Sequence, residues 1–375
     1  MRKLQSLALV GFTICGICTL ARAASLDASI ATVRSVGPEG KGNREASAAW
    51  KNLSTAPVKE LPTLLAGMDG ANELALNWLR SAVDTMVARA AANREALPVS
   101  ALEKFVRARN HNPRARRLAY ELIASADPKV AEQLMAGMLD DPSSELRREA
   151  VQRIISEAVT LQKAGKTNDA IVKYQAAIKP AREADQIDAI ADALGKLGAP
   201  ADLPKVFGWV NQWQIVGPFD NSGGVGYEKI FPPESLVDLK AEYDGKTGKV
   251  RWQEITTTNE YGVVDFNKPI GELKGVTGYA WTELESDKSR PVELRVACDN
   301  GWKVWLNGKF LFGRDEYHYG TEIDHYRMPA ELKAGKNTIL VKLCQNEQVA
   351  DWTKSWEFQL RITDAIGTPI ILAKQ

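Results

Sequence analysis

Apolar residues recur with two different periods along the chain. Over residues 25–203 they repeat every three to four positions among many alanines, which is typical of packed helices. After Lys205 apolar and polar residues alternate, for example over 292–298 and 356–362, which predicts antiparallel strands with one buried face. The pattern therefore predicts a multidomain α plus β protein, with an N-terminal helical region followed by an antiparallel β-sandwich.

The boundary between these regions falls where Gly198, Pro200 and Pro204 interrupt the helical pattern, because such residues end helices. We predict a helical repeat domain over residues 25–204 and a β-sandwich domain over residues 205–375. Tryptophan follows the same division, since eight of the ten tryptophans lie in the second domain, where aromatic residues suit a half-buried sheet.

An internal repeat lies in the helical half. Residues 112–123 and 141–151 each begin with an Asn-Pro or Asp-Pro pair, and their alignment pairs Arg117 with Arg148. The blocks resemble HEAT-type repeats over about residues 60–160, which implies an armadillo-type α-solenoid that offers a surface to a protein partner. An irregular helical bundle without superhelical curvature is the alternative.

A second type of helix pair follows the HEAT-like blocks. Residues 157–198 resemble a tetratricopeptide hairpin, with Gly165 at the turn and with Ala170 and Tyr174 on one helix face. We interpret this unit as the end cap of the solenoid.

The β half contains a strong turn signal. Asn307-Gly308 lies between two apolar runs within Lys303–Phe312, and Asn-Gly is the preferred pair for a tight hairpin because both residues adopt positive φ. We count about eight strands in this half, which suffice for two packed sheets.

Three segments of this half occur in the same order in a known family. Residues 213–219, 297–309 and 332–343 read WQIVGPF, ACDNGWKVWLNGK and LKAGKNTILVKL. They resemble galactose-binding-like jelly-roll modules, which occur in secreted bacterial proteins and beside glycoside hydrolases. The resemblance covers most of residues 207–364 and implies a non-catalytic module that binds carbohydrate, although many such modules have lost or changed their sugar site.

Two stretches supply candidate ligand-binding residues. Asp299, Asn300 and Trp302 lie at a turn between strands, where polar groups and an aromatic ring could bind the hydroxyls and the apolar face of a sugar. In the alternative interpretation Asp299 and Asn300 only close the turn through side-chain hydrogen bonds to the backbone. From the polar and aromatic loop that follows we predict binding by Arg314, Tyr317, His318, Tyr319, Asp324 and Tyr326.

The same loop raises the question of a metal. His318 and His325 with Asp324 are ligand types that suit a transition metal, but nothing in the sequence determines their mutual geometry, so we predict no metal site. Calcium is familiar in related modules, yet no ligand spacing indicates it here, and we predict no cofactor.

The first 24 residues read as a cleavable signal peptide. Arg2 and Lys3 precede an apolar run, and small residues lie at the cleavage positions before a cut after Ala23 or Ala24. The expected location is periplasmic or extracellular, with an uncleaved anchor as the alternative. We expect no membrane span in the mature chain, because no later stretch approaches the required apolar length.

Removal of this leader changes the charge and the cysteine count. The net charge falls from +1 to −2, because three basic residues and no acidic residue leave. Of the four cysteines only Cys298 and Cys344 remain, in a compartment where a disulfide could persist. A bridge between them is a hypothesis. Strand alternation argues against it, because Cys344 shares a side with Lys342 while Cys298 follows the apolar face.

The balanced charge excludes a nucleic-acid binder that relies on a basic surface. The chain also lacks the nucleophile elbow, the zinc-binding helix motif and the phosphate loop of common enzyme classes. We therefore expect a secreted, non-catalytic binding protein with carbohydrate or envelope glycan as ligand and a protein partner on the solenoid. The alternatives are a purely structural envelope scaffold and an accessory module of a polysaccharide-degrading system.

Overall fold

Helices form the N-terminal part of the chain in the computed structural model, which describes residues 26–374. The longer helices are α1 (26–34), α2 (Asn43–Thr55), α3 (Leu61–Ala66), α4 (Glu73–Ala92), α5 (Val99–Arg107), α6 (Pro113–Ala126), α7 (Pro128–Met135), α8 (Ser144–Lys163), α9 (Thr167–Ile178), α10 (Ala184–Lys196) and α11 (Leu203–Phe207). The predicted signal peptide lies outside the described residues. Among those residues, no helix is long and apolar enough to cross a bilayer.

The Asn-Pro pair of the first repeat block begins a helix, as the pattern indicates, whereas Asp141-Pro142 of the second block lies just before α8. Asn112 Oδ1 accepts hydrogen bonds from the backbone N–H groups of Arg114 and Ala115 at 2.9 and 3.3 Å, while Pro113 occupies the first turn of α6. The cap satisfies N–H groups that have no partner within the helix, and proline needs none there.

A buried ion pair joins the two repeat blocks. Arg116 and Asp141 are both fully buried and form two hydrogen bonds of 2.7 Å, and Arg116 also donates to the carbonyl of Val106 at 2.8 Å. Arg147, the aligned position of the second block, donates to the carbonyl of Asp141 at 2.6 Å. The buried arginines of the two blocks are therefore Arg116 and Arg147. Each lies one residue before the arginines that the sequence alignment emphasised, Arg117 and Arg148.

The described residues group into two compact units that divide between Arg153 and Ile154, inside α8. The second unit contains α9 to α11 and every strand. The predicted boundary at residue 204 follows the change in sequence pattern, and it stays a prediction.

Antiparallel strands form the rest of the chain. They are β1 (Gln212–Asp220), β2 (Glu242–Asp244), β3 (Lys249–Arg251), β4 (Gln253–Thr256), β5 (Val264–Asp265), β6 (Val276–Ser286), β7 (Arg290–Cys298), β8 (Gly301–Leu306), β9 (Lys309–Arg314), β10 (Tyr326–Leu332), β11 (Gly335–Gln345), β12 (Glu357–Thr363) and β13 (Ala373–Lys374). Two one-turn helices, α12 (Pro232–Ser235) and α13 (Asn267–Ile270), lie between strands.

Two sheets face each other across an apolar interior. The large sheet has the order β4-β1-β6-β11-β8-β9, with β13 beside β6, and the small sheet has the order β10-β7-β12-β5. Inward residues of both sheets form one core, to which β11 contributes Ile339, Val341 and Leu343 and β7 contributes Leu294 and Val296. The helical region followed by an antiparallel sandwich confirms the predicted fold class.

The predicted hairpin is confirmed at the turn between β8 and β9. Asn307 and Gly308 adopt φ of 53° and 76°, the left-handed conformation that this turn requires. Strand β10 was not predicted, because Pro329 removes a backbone donor within it. The structure accommodates this proline because β10 is the edge strand of the small sheet.

The outer face of the large sheet is partly covered by residues 221–252, which we call the cover segment. Lys342 on β11 is fully buried, and its Nζ donates to the carbonyls of Tyr227 and Lys229 and to Glu234 at 2.8–2.9 Å. Tyr279 donates its hydroxyl to the same carboxylate, and burial raises the pKa of this tyrosine. These bonds anchor the cover segment to the sheet.

Candidate functional site

Three chain segments meet at one end of the sandwich, which we call the loop end. It comprises Asp299 and Asn300, residues 315–325 and residues 346–356. Asp299 joins the first two segments, because its carbonyl accepts from the backbone N–H of His318 and its Oδ1 accepts from that of Gly320, both at 2.7 Å. These two hydrogen bonds hold the loop of His318 and Gly320 against the turn that contains Asp299.

Two aromatic side chains project from the loop end. Tyr319 is 84% exposed and Trp352 is 66% exposed. They flank His318, whose ring contacts Trp352 edge-on with centroids 5.6 Å apart and whose Nε2 lies 3.2 Å from Asn346 Oδ1. The His318 side chain itself is buried, so this predicted residue supports the loops instead of facing a ligand.

Trp352 was missed by the sequence reasoning. It lies in a short helical turn, Asp351–Thr353, outside the alternating strands. A tryptophan between polar residues in a segment without alternation is a signal that could have identified it, because nothing there indicates a buried face.

A cavity of about 390 Å³ opens beside Asp299. It is lined by Asn259, Tyr261, Val263, Ala297, Cys298, Asp299, Thr321, Glu322, Ile323, Ser355, Glu357, Phe358 and Gln359. The lining combines carboxylates, amides and hydroxyls with a few apolar groups, which is typical of sites that orient a small polar ligand.

The cavity contains the carboxyl group of Glu357, whose pKa lies above the ordinary value for glutamate. Burial raises the pKa of Glu357, and the neighbouring carboxylates of Asp265 and Asp299 raise it further. Gln359, two residues along β12, donates its side-chain amide to the Tyr261 carbonyl at 2.7 Å. The cavity therefore presents acceptors to a ligand that donates hydrogen bonds, such as a polyhydroxylated one.

The expectation that Trp302 offers an exposed ring is wrong. Its side chain is 1% exposed and packs against Phe312 and Tyr326, with ring centroids 5.8 and 5.1 Å apart. The physical reason is strand alternation, because Trp302 shares the inward face of β8 with Val304 and Leu306.

Asn300 is buried and bonds its turn to the segment that leads into β12. Its Nδ2 donates to the Ser355 carbonyl at 3.0 Å, and its Oδ1 accepts from the Glu357 N–H at 3.3 Å. Asn300 therefore has a structural role through side-chain hydrogen bonds to the backbone of a distant segment, while Asp299 both supports the loops and lines the cavity.

Asp324 is an ion-pair partner and does not face a ligand. It is buried and accepts hydrogen bonds of 2.7 Å from Arg295 and from Arg361. Burial opposes its ionisation, but the hydrogen bonds and charges of both arginines outweigh burial and lower the pKa of Asp324. A role of Asp324 in metal binding with the two histidines is therefore excluded by its partners.

Of the remaining predicted loop residues, one is exposed and the others pack against neighbouring residues. Arg314 is exposed and lies 3.4 Å from Glu316. Tyr317 is partly buried, its hydroxyl accepts from Asn221 Nδ2 at 3.4 Å, and burial raises its pKa. Tyr326 is partly buried, and His325 stacks on it with centroids 4.6 Å apart. In the part of the chain that the structure describes, no group of three or more His, Cys, Asp or Glu residues could hold a metal ion.

Cys298 and Cys344 are free, buried thiols, so the disulfide hypothesis is wrong. Cys298 points from the small sheet into the interior. Cys344 lies on the large sheet between inward Leu343 and Gln345, so its side chain points the other way. Burial raises the pKa of both thiols, that of Cys344 to about 11.

Comparison with known proteins identifies no family. No model of a known protein family matches the chain, and no curated protein is significantly similar in sequence. Among solved structures, an anti-sigma factor domain-containing protein matches with a TM-score of 0.27 at 15% identity, over 44% of this chain and 46% of that protein.

Two further solved structures show similarity of the same low order. An anti-sigma factor domain-containing protein from Clostridium clariflavum has a TM-score of 0.26 at 14% identity, over 44% of this chain and 45% of that one. A GH31 alpha-xylosidase from Xanthomonas citri has a TM-score of 0.20 at 9% identity, over 41% and 17%. The chain thus spans less than half the length of each of these proteins, and the similarity is distant.

Proposed function

We propose that this chain is a secreted, non-catalytic carbohydrate-binding protein whose loop end holds the sugar. The observation that carries the proposal is the exposure of Tyr319 and Trp352 on two loops of the loop end, where Asp299 also lines a cavity. Each exposed ring offers a flat apolar surface next to a polar edge, and a pyranose ring presents the matching apolar face.

Each group has a distinct role in this proposal. Tyr319 and Trp352 stack on the faces of sugar rings, while Asp299, Glu357 and Gln359 accept or donate hydrogen bonds to hydroxyl groups inside the cavity. Because the Trp352 ring contacts His318, which is itself held by Asn346, this indole is positioned before the ligand arrives, which reduces the entropy lost on binding.

The helical region suits a protein partner in the same proposal. A cavity of about 540 Å³ on α6 and α8 is lined by Arg117, Glu121, Glu145, Arg148, Glu149 and Gln152. Charges of both signs alternate there, and Arg117 pairs with Glu149 and Glu121. Such a surface favours a partner with complementary charges of both signs and supports the second candidate function, a structural envelope scaffold.

A binding experiment with the full mature chain tests the carbohydrate proposal. A glycan array identifies soluble oligosaccharide ligands, and titration calorimetry then measures affinity for the wild type, Tyr319→Ala and Trp352→Ala. We expect each substitution to weaken binding about 3- to 10-fold, because a stacked ring contributes on the order of 0.5–1.5 kcal/mol.

Val349→Ala is the matched control, because Val349 is 81% exposed on the same loop as Trp352 but carries no ring. We expect it to leave affinity unchanged. The absence of any array ligand, or unchanged affinity in both aromatic variants, would contradict the proposed site.

A further inference from the structure

A row of directly opposed residues crosses the outer face of the large sheet. Strand registers pair Gln214 with Trp281, Trp281 with Leu340, Leu340 with Trp305, and Trp305 with Phe310. The five residues thus lie side by side on β1, β6, β11, β8 and β9, and we call them the aromatic row. It lies apart from the loop end, since none of its residues belongs to the loop-end segments or to the cavity beside Asp299.

The cover segment covers this row only in part, because Leu340 belongs to the buried cluster that the segment forms on the sheet, while Trp281 and Trp305 pack against the rim of that cluster. Its aromatic cluster, including Phe231, Tyr243 and Trp252, packs on the sheet next to the row. Leu340 is buried, whereas Trp281 and Trp305 are only partly buried and Phe310 is 50% exposed. Outward-facing aromatic residues on three of four consecutive strands therefore form one continuous apolar strip that reaches edge strand β9.

The spacing of the two indoles limits what can bind them. Trp281 and Trp305 are separated by strand β11, which places them two inter-strand spacings apart, or about 9.6 Å. In an extended β-linked hexopyranose chain, two sugar residues advance by nearly this distance and present the same apolar face. A chain lying along the row would therefore place every second sugar on an indole.

Polar side chains border the row on the side away from the cover segment. Thr338 and Glu283 are directly opposed on β11 and β6 and share the outer face, and Lys336 pairs with Glu283 at 2.9 Å. These groups can exchange hydrogen bonds with the hydroxyls at the rim of a sugar ring whose face rests on Trp281.

We propose that the aromatic row binds an extended, β-linked polysaccharide chain that lies across the strands. The row ends at edge strand β9, where Phe310 is half exposed, so a long polymer can continue past the sheet. This second surface is independent of the loop end, which is suited to short soluble saccharides.

Sedimentation of the full mature chain with insoluble cellulose and with chitin tests this proposal, and starch serves as the α-linked control polymer. We expect wild type to bind cellulose or chitin but not starch, and Trp281→Ala/Trp305→Ala to lower the association constant at least tenfold. Tyr319→Ala/Trp352→Ala, which changes only the loop end, is the matched control and should retain polymer binding.

Thr338→Arg provides a second variant that keeps both indoles, because a long side chain at this partly buried outward position would obstruct the row. It should also reduce polymer binding at least tenfold, and circular dichroism checks that each variant is folded. The proposal is overturned if wild type binds neither β-linked polymer, or if Thr338→Arg and the folded double variant bind like wild type. Absence of oligosaccharide binding by the wild type, with polymer binding retained, would overturn the proposed function and leave the proposal for the aromatic row intact.

Discussion

Glu357 is the cavity residue whose ionised carboxylate opposes folding. Its carboxylate is partly buried and faces Asp265 and Asp299, and both effects raise its pKa. A carboxyl group whose pKa is higher in the folded than in the unfolded state opposes folding once it is ionised. This opposition is absent below the ordinary pKa of glutamate, develops as pH rises, and is complete above the folded-state pKa.

Glu357→Gln should therefore raise the melting temperature at about pH 7 and have little effect below about pH 4, where the wild-type carboxyl is protonated in both states. Thermal unfolding of both proteins over this pH range measures the difference. A gain in melting temperature that does not change with pH would show that the substitution acts through packing and not through charge.

The two site tryptophans show what residue patterns can and cannot predict. Trp302 belongs to an alternating strand, so its burial with Val304 follows from the same pattern that predicted the strand. Trp352 lies in a loop whose conformation depends on long-range contacts, such as that of its ring with His318. The loop end was predicted as the binding region, but which of its side chains face solvent depends on such tertiary contacts.

At the scale of elements, buried charge connects the helical repeats. Asp141 precedes α8, receives Arg116 from α6 and Arg147 from α8, and is completely shielded from water. Removing Arg116 leaves the buried Asp141 carboxylate with the half-exposed Arg109, 3.9 Å away, as a weaker cationic neighbour, which costs more than an exposed ion pair contributes.

Arg116→Ala should lower the free energy of unfolding by about 3–5 kcal/mol. Arg107→Ala is the matched control, since Arg107 forms an exposed i,i+4 pair with Glu103 and should cost about 0–1 kcal/mol. Urea denaturation followed by circular dichroism measures both values. Equal effects of the two substitutions would contradict the dominant role of the buried pair.

Most strands and the helical character of the first half were predicted because local patterns suffice for them. Asn307-Gly308 requires a tight turn and Asn112-Pro113 a helix start, whatever the surroundings. Strand β10 was missed because Pro329 is tolerated only at a sheet edge, and edge position is a property of the whole sheet. The aromatic row was missed for a related reason, since its members come from five strands and meet only through their registers.

At the scale of the molecule, the helical and β regions are shown, whereas the HEAT-like and tetratricopeptide-like assignments stay predictions. Export is also a prediction, because the first residues lie outside the described range. We expect the chain produced in its native host to lack the first 23 or 24 residues, which intact-mass spectrometry measures. Retention of Met1 in the exported protein would contradict cleavage and favour the anchor.

The hairpin turn at Asn307-Gly308 affects how readily the protein deamidates. In Asn-Gly sequences the backbone nitrogen after asparagine readily attacks the side-chain amide, and the asparagine is lost by deamidation. In this turn the Asn307 amide donates to Asn337 at 2.9 Å and accepts from the Thr338 N–H at 3.0 Å. Formation of the cyclic intermediate requires that both hydrogen bonds of the Asn307 amide break. The folded turn therefore slows deamidation of Asn307, and unfolding of the turn would accelerate it.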